Sequence, residues 1–132
     1  MVINFNPKYI PGDIVYNHKK EIIRITSSYL KGTKLFYYRD GEYGWIREDA
    51  IKPIPLTPEI LKKNGWRTQN RWYYYLDVAE GFISYIGIDF KHKSNKGHLY
   101  VEVDGNNMVE IQYCHELQHL LFGLGINHEM EV

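Results

Sequence analysis

The feature that most constrains the fold is a series of short β-type runs separated by turn residues, with room for only two helices. The runs are rich in Tyr, Ile and Val, which favour strands, while Gly, Asp and Asn fall between them. They cover residues 14–16, 21–26, 34–39, 43–47, 71–76, 81–90, 98–103 and 109–111. The first four, with turns such as Asp40-Gly41, predict an SH3-like β meander, and the later runs predict an antiparallel sheet.

The segment between the two groups of runs carries the signals of a short helix. Thr57 fits the N-cap, Pro58 fits the first helical position, and Asn64 followed by Gly65 fits a left-handed stop. These signals predict a helix over residues 58–63.

A second helix is predicted over residues 113–124, at the end of the chain. Four leucines recur there at helical spacing and predict the buried stripe: Leu117, Leu120, Leu121 and Leu124. At one hundred degrees per residue, His115, His119 and Phe122 fall on the opposite face, with Gln118 at its border. We expect this second face to be displayed away from the leucines.

The order of these elements predicts an α+β fold. It comprises an N-terminal SH3-like β meander, a short central helix, an antiparallel sheet and a C-terminal helix packed on that sheet. The chain has 132 residues, which suits a single domain over 1–132. Within it we expect an N-terminal meander subdomain over 1–55 and a second part over 56–132.

Charge and cysteine content narrow the classes of partner and compartment. Lys plus Arg equals Asp plus Glu at 16 each, so the formal net charge is zero. Non-specific binding to nucleic acid or to a membrane surface needs a basic excess, so we expect neither as a partner. The lone Cys114 excludes a disulfide scaffold and fits a reducing compartment. The N-terminal residues do not read as a signal peptide, so we expect a cytoplasmic location.

Residues 115–119 read His-Glu-Leu-Gln-His, which is a literal HExxH motif. In zinc hydrolases, two histidines one helical turn apart share the metal, and the Glu acts as general base on the metal-bound water. In this chain those roles would fall to His115, His119 and Glu116. The motif therefore raises a zinc-dependent hydrolase as one candidate function.

The motif is incomplete as a zinc site. Its extended form requires Gly and His where Phe122 and Gly125 stand. A third ligand from His128, Glu129 or Glu131 would require the tail to fold back onto the helix. We therefore predict no catalytic residue, no metal and no cofactor, and the zinc hydrolase remains an alternative.

Two blocks of the chain resemble a family. Residues 54–66 read IPLTPEILKKNGW and residues 111–122 read IQYCHELQHLLF. Both are similar to blocks in small, largely uncharacterised proteins of gut Bacteroides phages and prophages, and residues 11–15 are more weakly similar to the first strand of those proteins. The family's last helix reads YVHQLQNLYF or YVHELQHAL, with Gln or Glu at position 116 and Asn or His at 119. The resemblance implies that the HExxH is coincidental and that the chain works in the cytoplasm of a bacterial host.

Aromatic residues make up 15% of the chain and suit the recognition of flat ligands. Nucleobases stack on Tyr or Trp rings, and phosphates are bound by Arg, Lys, His or backbone N–H groups. The predicted ligand-binding residues are Arg71, Trp72, Tyr74, His115 and Gln118. A similar mixture of rings and cations occurs in the meander at Tyr37, Tyr38, Arg39, Trp45 and Arg47.

The leading hypothesis is a non-catalytic, phage-type binding protein. Its concrete form is a counter-defence protein that sequesters a cyclic or linear nucleotide signal of the host immune system. A homodimer is expected, because two-fold assemblies are the commonest and a second copy deepens a small pocket. The alternatives are a protein–protein interaction module that inhibits a host enzyme and the zinc hydrolase.

Overall fold

The computed structural model describes residues 8–40, 44–78 and 81–132. Nine strands and two α-helices follow one another along these ranges. In chain order they are β1 (Ile14–Tyr16), β2 (Ile22–Lys31), β3 (Lys34–Arg39), β4 (Trp45–Arg47), α1 (Pro58–Lys63), β5 (Arg67–Thr68), β6 (Tyr73–Asp77), β7 (Tyr85–Asp89), β8 (Leu99–Val103), β9 (Asn106–Ile111) and α2 (Cys114–Gly123). A single 3-10 turn (Glu48–Ala50) follows β4.

The first four strands form an antiparallel sheet in chain order. A β-bulge between Ile25 and Ser27 interrupts the pairing of β2 with β3, and bulges bend a strand and increase its twist. The sheet curls around a small core of its own, which we call the meander core. It is formed by Tyr9, Val15, Ile23, Ile25, Tyr37, Ile46 and Ile51. The predicted N-terminal β meander is confirmed.

The last five strands form a second antiparallel sheet, again in chain order. Its inner face shares one apolar core with both helices, which we call the main core. The most deeply buried members of that core are Leu61, Ile86, Ile88, Val101, Cys114 and Leu117. Ile14 of β1 belongs to this core too, so the meander and the second sheet are packed together. The predicted α+β class is confirmed.

Helix α1 forms where local signals predict it. The Thr57 hydroxyl accepts a hydrogen bond from the Ile60 amide at 3.3 Å, and Pro58 opens the helix. Leu61 is fully buried, and Gly65 follows the helix end with a φ of +86°. These are the N-cap, apolar anchor and left-handed stop that the sequence carries.

Strand β6 begins two residues later than the predicted 71–76 run. The Asn70 side-chain oxygen accepts hydrogen bonds from the amides of Trp72 at 2.8 Å and Tyr73 at 2.9 Å. This Asx-type turn takes the two amides away from the sheet ladder. Arg71 and Trp72 therefore lie in a turn, and the alternation of faces predicted from residue 71 begins only at Tyr73.

The hairpin between β8 and β9 also shifts strand boundaries. Asp104 and Gly105 both have positive φ, at 52° and 87°, which is the backbone of a two-residue hairpin turn. Strand β9 therefore starts at Asn106, where the sequence predicts a strand only from 109. The Asp104 carboxylate accepts hydrogen bonds from the amides of Ser84 and Tyr85, and β7 starts at Tyr85 instead of 81.

Other boundaries differ in smaller ways. Strand β2 continues to Lys31, beyond the predicted end at 26, and the two-residue β5 was not predicted. Gly41 of the predicted turn, Tyr43 of the predicted fourth strand and residues before 8 in the predicted subdomain lie outside the described residues. Within the described ranges, neither helix is long and apolar enough to cross a membrane.

Candidate functional site

The Glu of the HExxH motif caps its own helix. Glu116 Oε1 accepts hydrogen bonds from the amides of Gln112 and Tyr113, each at 3.0 Å. A carboxylate in the first turn satisfies free amides and interacts favourably with the helix dipole. The general base of a zinc hydrolase must instead reach a metal-bound water. In this structure the carboxylate is held by the backbone.

Gln118, in the middle of the motif, fastens α2 to both ends of the chain. Its side chain is fully buried. Its Oε1 accepts a hydrogen bond from the Ile14 amide at 2.9 Å, and its Nε2 donates to the carbonyls of Gly12 at 2.8 Å and His128 at 2.9 Å. Since all three partners are backbone groups, this amide joins β1, α2 and the folded-back tail.

His119 pairs with a carboxylate that lies more than a hundred residues earlier in the sequence. Its Nε2 lies 2.6 Å from Asp13 Oδ2, which also accepts a hydrogen bond from the Ile10 amide at 2.9 Å. Asp13 is completely buried, whereas about a third of the His119 side chain is exposed. The histidine thus supplies a donor to a carboxylate that has no access to solvent.

His115 is buried among rings. Its ring centroid lies 4.9 Å from that of Tyr9, 5.5 Å from that of His119 and 6.0 Å from that of Tyr113, with the Tyr113 ring stacked. Burial lowers the pKa of His115 to about 4, and the charge of Asp13 opposes that shift only in part. The imidazole is therefore neutral at neutral pH.

Three polar atoms of this cluster have no hydrogen-bond partner among the described residues. They are Tyr9 Oη, Asp13 Oδ1 and His115 Nδ1. Burial is the main reason that the pKa of Tyr9 is raised to about 12.

In the described ranges, no group of three or more His, Cys, Asp or Glu residues is placed to hold a metal ion. The tail does fold back, but the His128 ring packs against Phe122 at 5.0 Å.

The helix face that carries the histidines is therefore not displayed as we expected. His115 and Gln118 are buried against the segment around Asp13, so α2 is covered on two sides. Only Phe122 of the predicted second face is largely exposed, at 59%. The covering segment lies about a hundred residues away in sequence, which helical periodicity does not reveal.

The five predicted ligand-binding residues fall into three separate environments. Tyr74 is 2% exposed and belongs to the core of the second sheet. His115 and Gln118 are buried in the junction between α2 and the segment around Asp13. Arg71 and Trp72 are exposed, and the guanidinium lies 5.2 Å from the Trp72 ring centroid. Of the predicted set, only this last pair presents a ring and a charge to solvent.

A second group of rings lies on the outer side of the meander. Trp45 packs against Tyr29 at 4.9 Å and against Tyr38 at 4.6 Å between ring centroids. Tyr29 and Trp45 remain 45% and 44% exposed despite these contacts. Tyr37, the strand neighbour of Tyr38, points inward, and its hydroxyl donates to Glu48.

Cations accompany these rings. Successive side chains of β2, β3 and β4 point to opposite faces of the sheet, and Lys31 pairs with Lys34 at the hairpin end. Arg47 lies opposite Phe36 and contacts the exposed Asp49 at 2.7 Å. We call this surface the meander face; it consists of Tyr29, Lys31, Lys34, Phe36, Tyr38, Trp45 and Arg47.

The meander face offers stacking and positive charge together. Trp and Tyr rings bind flat aromatic groups, and Arg and Lys bind phosphate. The outward positions of β2, β3 and β4 after the bulge carry no carboxylate. This surface can therefore bind an anionic ligand that also carries a planar group.

No protein-family model, no curated protein and no solved structure matches this chain. The sequence indicated part of the meander face, namely Tyr38, Trp45 and Arg47. It missed Tyr29, because the predicted second strand ended at residue 26. A longer β2 could have been inferred from Tyr29-Leu30, which continues the β-type run before the Gly32 turn.

Proposed function

We propose that this chain is a non-catalytic binding protein that holds a nucleotide-like ligand on its meander face. The observation that carries the proposal is the contact of Trp45 with both Tyr29 and Tyr38, on strands whose outward charges are all positive. A solvent-exposed ring cluster gives a base a stacking surface. Neighbouring cations supply the charge that a phosphate needs.

The geometry of α2 supports binding over hydrolysis. Each polar side chain of the HExxH motif has a structural partner or a buried position: Glu116 caps the helix, Gln118 bonds three backbone groups, and His119 pairs with Asp13. A hydrolytic role would require at least two of these contacts to break. On the meander face, by contrast, the rings of Tyr29 and Trp45 are already exposed to solvent.

In its concrete form, the proposal is that the chain sequesters a cyclic or linear nucleotide signal of a bacterial host during phage infection. The resemblance to Bacteroides phage proteins supports this setting. One open sheet face covers only one side of a base, so tight retention requires a second surface. We propose that a second copy of the chain supplies it, which makes the sequestering species a homodimer.

Native mass spectrometry of the full chain, mixed with a panel of cyclic and linear nucleotides, tests the proposal. We expect one unchanged nucleotide to be retained and no zinc to be present. Trp45→Ala should weaken retention by about tenfold or more, because stacking on an aromatic ring contributes about 1–3 kcal/mol per base. Arg47→Ala should weaken it by several-fold.

The matched controls are Trp72→Ala and Arg71→Ala. Trp72 is 41% exposed and lies beside an arginine, as Trp45 does within the meander face. These two variants should retain the ligand as the unmodified chain does. Loss of binding in Trp72→Ala with normal binding in Trp45→Ala would place the site on the second sheet and refute the meander face. One tightly bound zinc, or a hydrolysed nucleotide, would refute the non-catalytic reading.

A further inference from the structure

A cavity that shares no lining residue with the meander face has a different chemistry. It measures about 630 Å³ and lies between the ends of β6 and β7, the end of α2 and the folded-back tail. About half of its wall is apolar, and the apolar side chains there include Trp66, Leu76, Val78, Ile83, Leu121, Leu124, Ile126 and Met130. Small-molecule sites in proteins have this size and combine apolar side chains with polar groups that orient the ligand.

The tail forms one wall of the cavity and is itself anchored. Asn64 donates from Nδ2 to the Glu131 carbonyl at 2.7 Å, and its Oδ1 accepts from the Glu131 amide at 2.8 Å. Met130 is buried in the main core at 3% exposure. A wall fixed in this way does not have to be ordered by the ligand, which lowers the cost of binding.

Two charged side chains from the described part of the chain line the cavity, and both are acidic. Asp77 and Glu129 line it, and no Lys or Arg does so among the described residues. Arg67 contacts Asp77 at 3.2 Å, but both side chains are well exposed, so water and salt screen that pair. Carboxylates beside an apolar wall attract a cation and repel an anion.

We infer that this cavity is a binding site for a small apolar molecule that carries one basic nitrogen. The apolar body would lie against Trp66 and Leu121, and the protonated nitrogen would face Glu129 at the rim, since Asp77 already contacts Arg67. This preference is opposite to that of the meander face, where the charges are positive. The inference goes beyond the proposed function and does not depend on it.

Fluorescence titration of the full chain tests this inference. Trp45→Phe and Trp72→Phe together leave Trp66, which lines the cavity, as the single tryptophan reporter. The probes are 4-phenylbutylamine, 4-phenylbutanol and 4-phenylbutyrate, which share an apolar body and differ in charge. We expect saturable changes in Trp66 emission, with the amine binding tightest and the carboxylate weakest.

Two variants locate the charge and the cavity. Glu129→Gln should weaken the binding of the amine by about three- to tenfold, as for a charge-assisted contact near the surface, and leave the alcohol unchanged. Val78→Phe, which fills the cavity from its rim, should weaken all probes. The matched control Glu110→Gln removes an exposed carboxylate of β9 outside the cavity and should change nothing.

Equal affinity for the amine and the alcohol would overturn the inferred ligand class. Absence of any saturable response of Trp66 up to millimolar amine would overturn the site itself, provided that circular dichroism shows a native fold. Neither result bears on the meander face, because the titration uses no nucleotide and the cavity shares no residue with that surface.

Discussion

At the scale of single residues, the buried polar groups around α2 have a structural role that their sequence disguises. His115, Gln118 and His119 read as a ligand-binding or metal-binding set, because histidines and amides on one helix face usually meet solvent. In the fold, Asp13 and the backbone next to it cover that face. The sequence shows that these polar residues share one face of α2. It does not show that they are buried, because their burial depends on a contact between distant parts of the chain.

The pKa of His115 leads to a prediction about acid stability. Burial lowers this pKa to about 4 in the folded chain, against 6.5 for the unperturbed group. The unfolded chain therefore binds more protons between these two pH values, and the free energy of unfolding falls as the pH falls from 6.5 to 4. The group contributes roughly 3 kcal/mol to that fall, from 1.36 kcal/mol per pKa unit.

Urea denaturation at a series of pH values between 4 and 7 measures this contribution. In His115→Phe, which keeps a ring but cannot titrate, the pH dependence should be shallower by roughly the same 3 kcal/mol over that window. The control His18→Phe makes the same substitution at an exposed position. An unchanged slope in His115→Phe would show that the pKa of this imidazole is the same in the folded and unfolded chain, and would contradict the prediction.

At the scale of elements, the helices separate what local sequence determines from what it does not. The cap, first residue and stop of α1 all act within the helix, so its limits follow from residues 57–65. For α2 the leucine stripe was sufficient to place the helix, and Leu117 and Leu121 are indeed buried. The strands β6 and β7 shifted because Asn70 and Asp104 bond to backbone amides, a competition that strand propensity does not include.

The capping contact of Glu116 leads to a prediction for α2. Glu116→Ala should lower the free energy of unfolding by about 1 kcal/mol, since the amides of Gln112 and Tyr113 lose their acceptor. Glu116→Gln should recover most of that loss, because an amide oxygen still accepts both bonds. Thermal or urea unfolding measures both variants, with and without a chelator.

The same pair of variants separates the cap from a catalytic base. We expect the chelator to leave the midpoint of unfolding unchanged in all three proteins, because no metal contributes to the folded state under the proposed function. A drop in stability on chelation, or a Glu116→Gln variant as unstable as Glu116→Ala, would contradict the capping role.

At the scale of the whole molecule, two sheets are joined through β1 and through polar contacts of Gln118, His119 and Arg24. Ile14 packs into the main core while its neighbour Val15 packs into the meander core, so β1 belongs to both. Gln118 completes the connection from α2. The sequence predicted the two sheets and their order, but not the contact surface between them, because that surface involves few residues from each part.

The shared junction leads us to expect that the two sheets unfold as one unit. Trp45 reports on the meander and Trp66 on the main core, so single-tryptophan chains that retain one or the other should give coincident urea transitions. Gln118→Leu removes the partner that the His128 carbonyl and the Ile14 amide have in the structure, and leaves the Gly12 carbonyl only its contact with Arg24 Nη1 at 3.4 Å. It should lower stability by about 2–4 kcal/mol. Separate transitions in the otherwise unmodified chain would contradict the expectation of a single domain.

The junction made by Gln118 also sets an order of events during synthesis on the ribosome. Its partners Gly12 and Ile14 emerge early, whereas Gln118 follows 106 and 104 residues later, and the His128 carbonyl later still. At the usual rate of roughly 5–20 residues per second, the first strand must wait several seconds for its partner. During that interval the nascent meander exposes the side of β1 that α2 later covers. We therefore expect protection of the first strand from proteases to depend on the synthesis of residues 114–128.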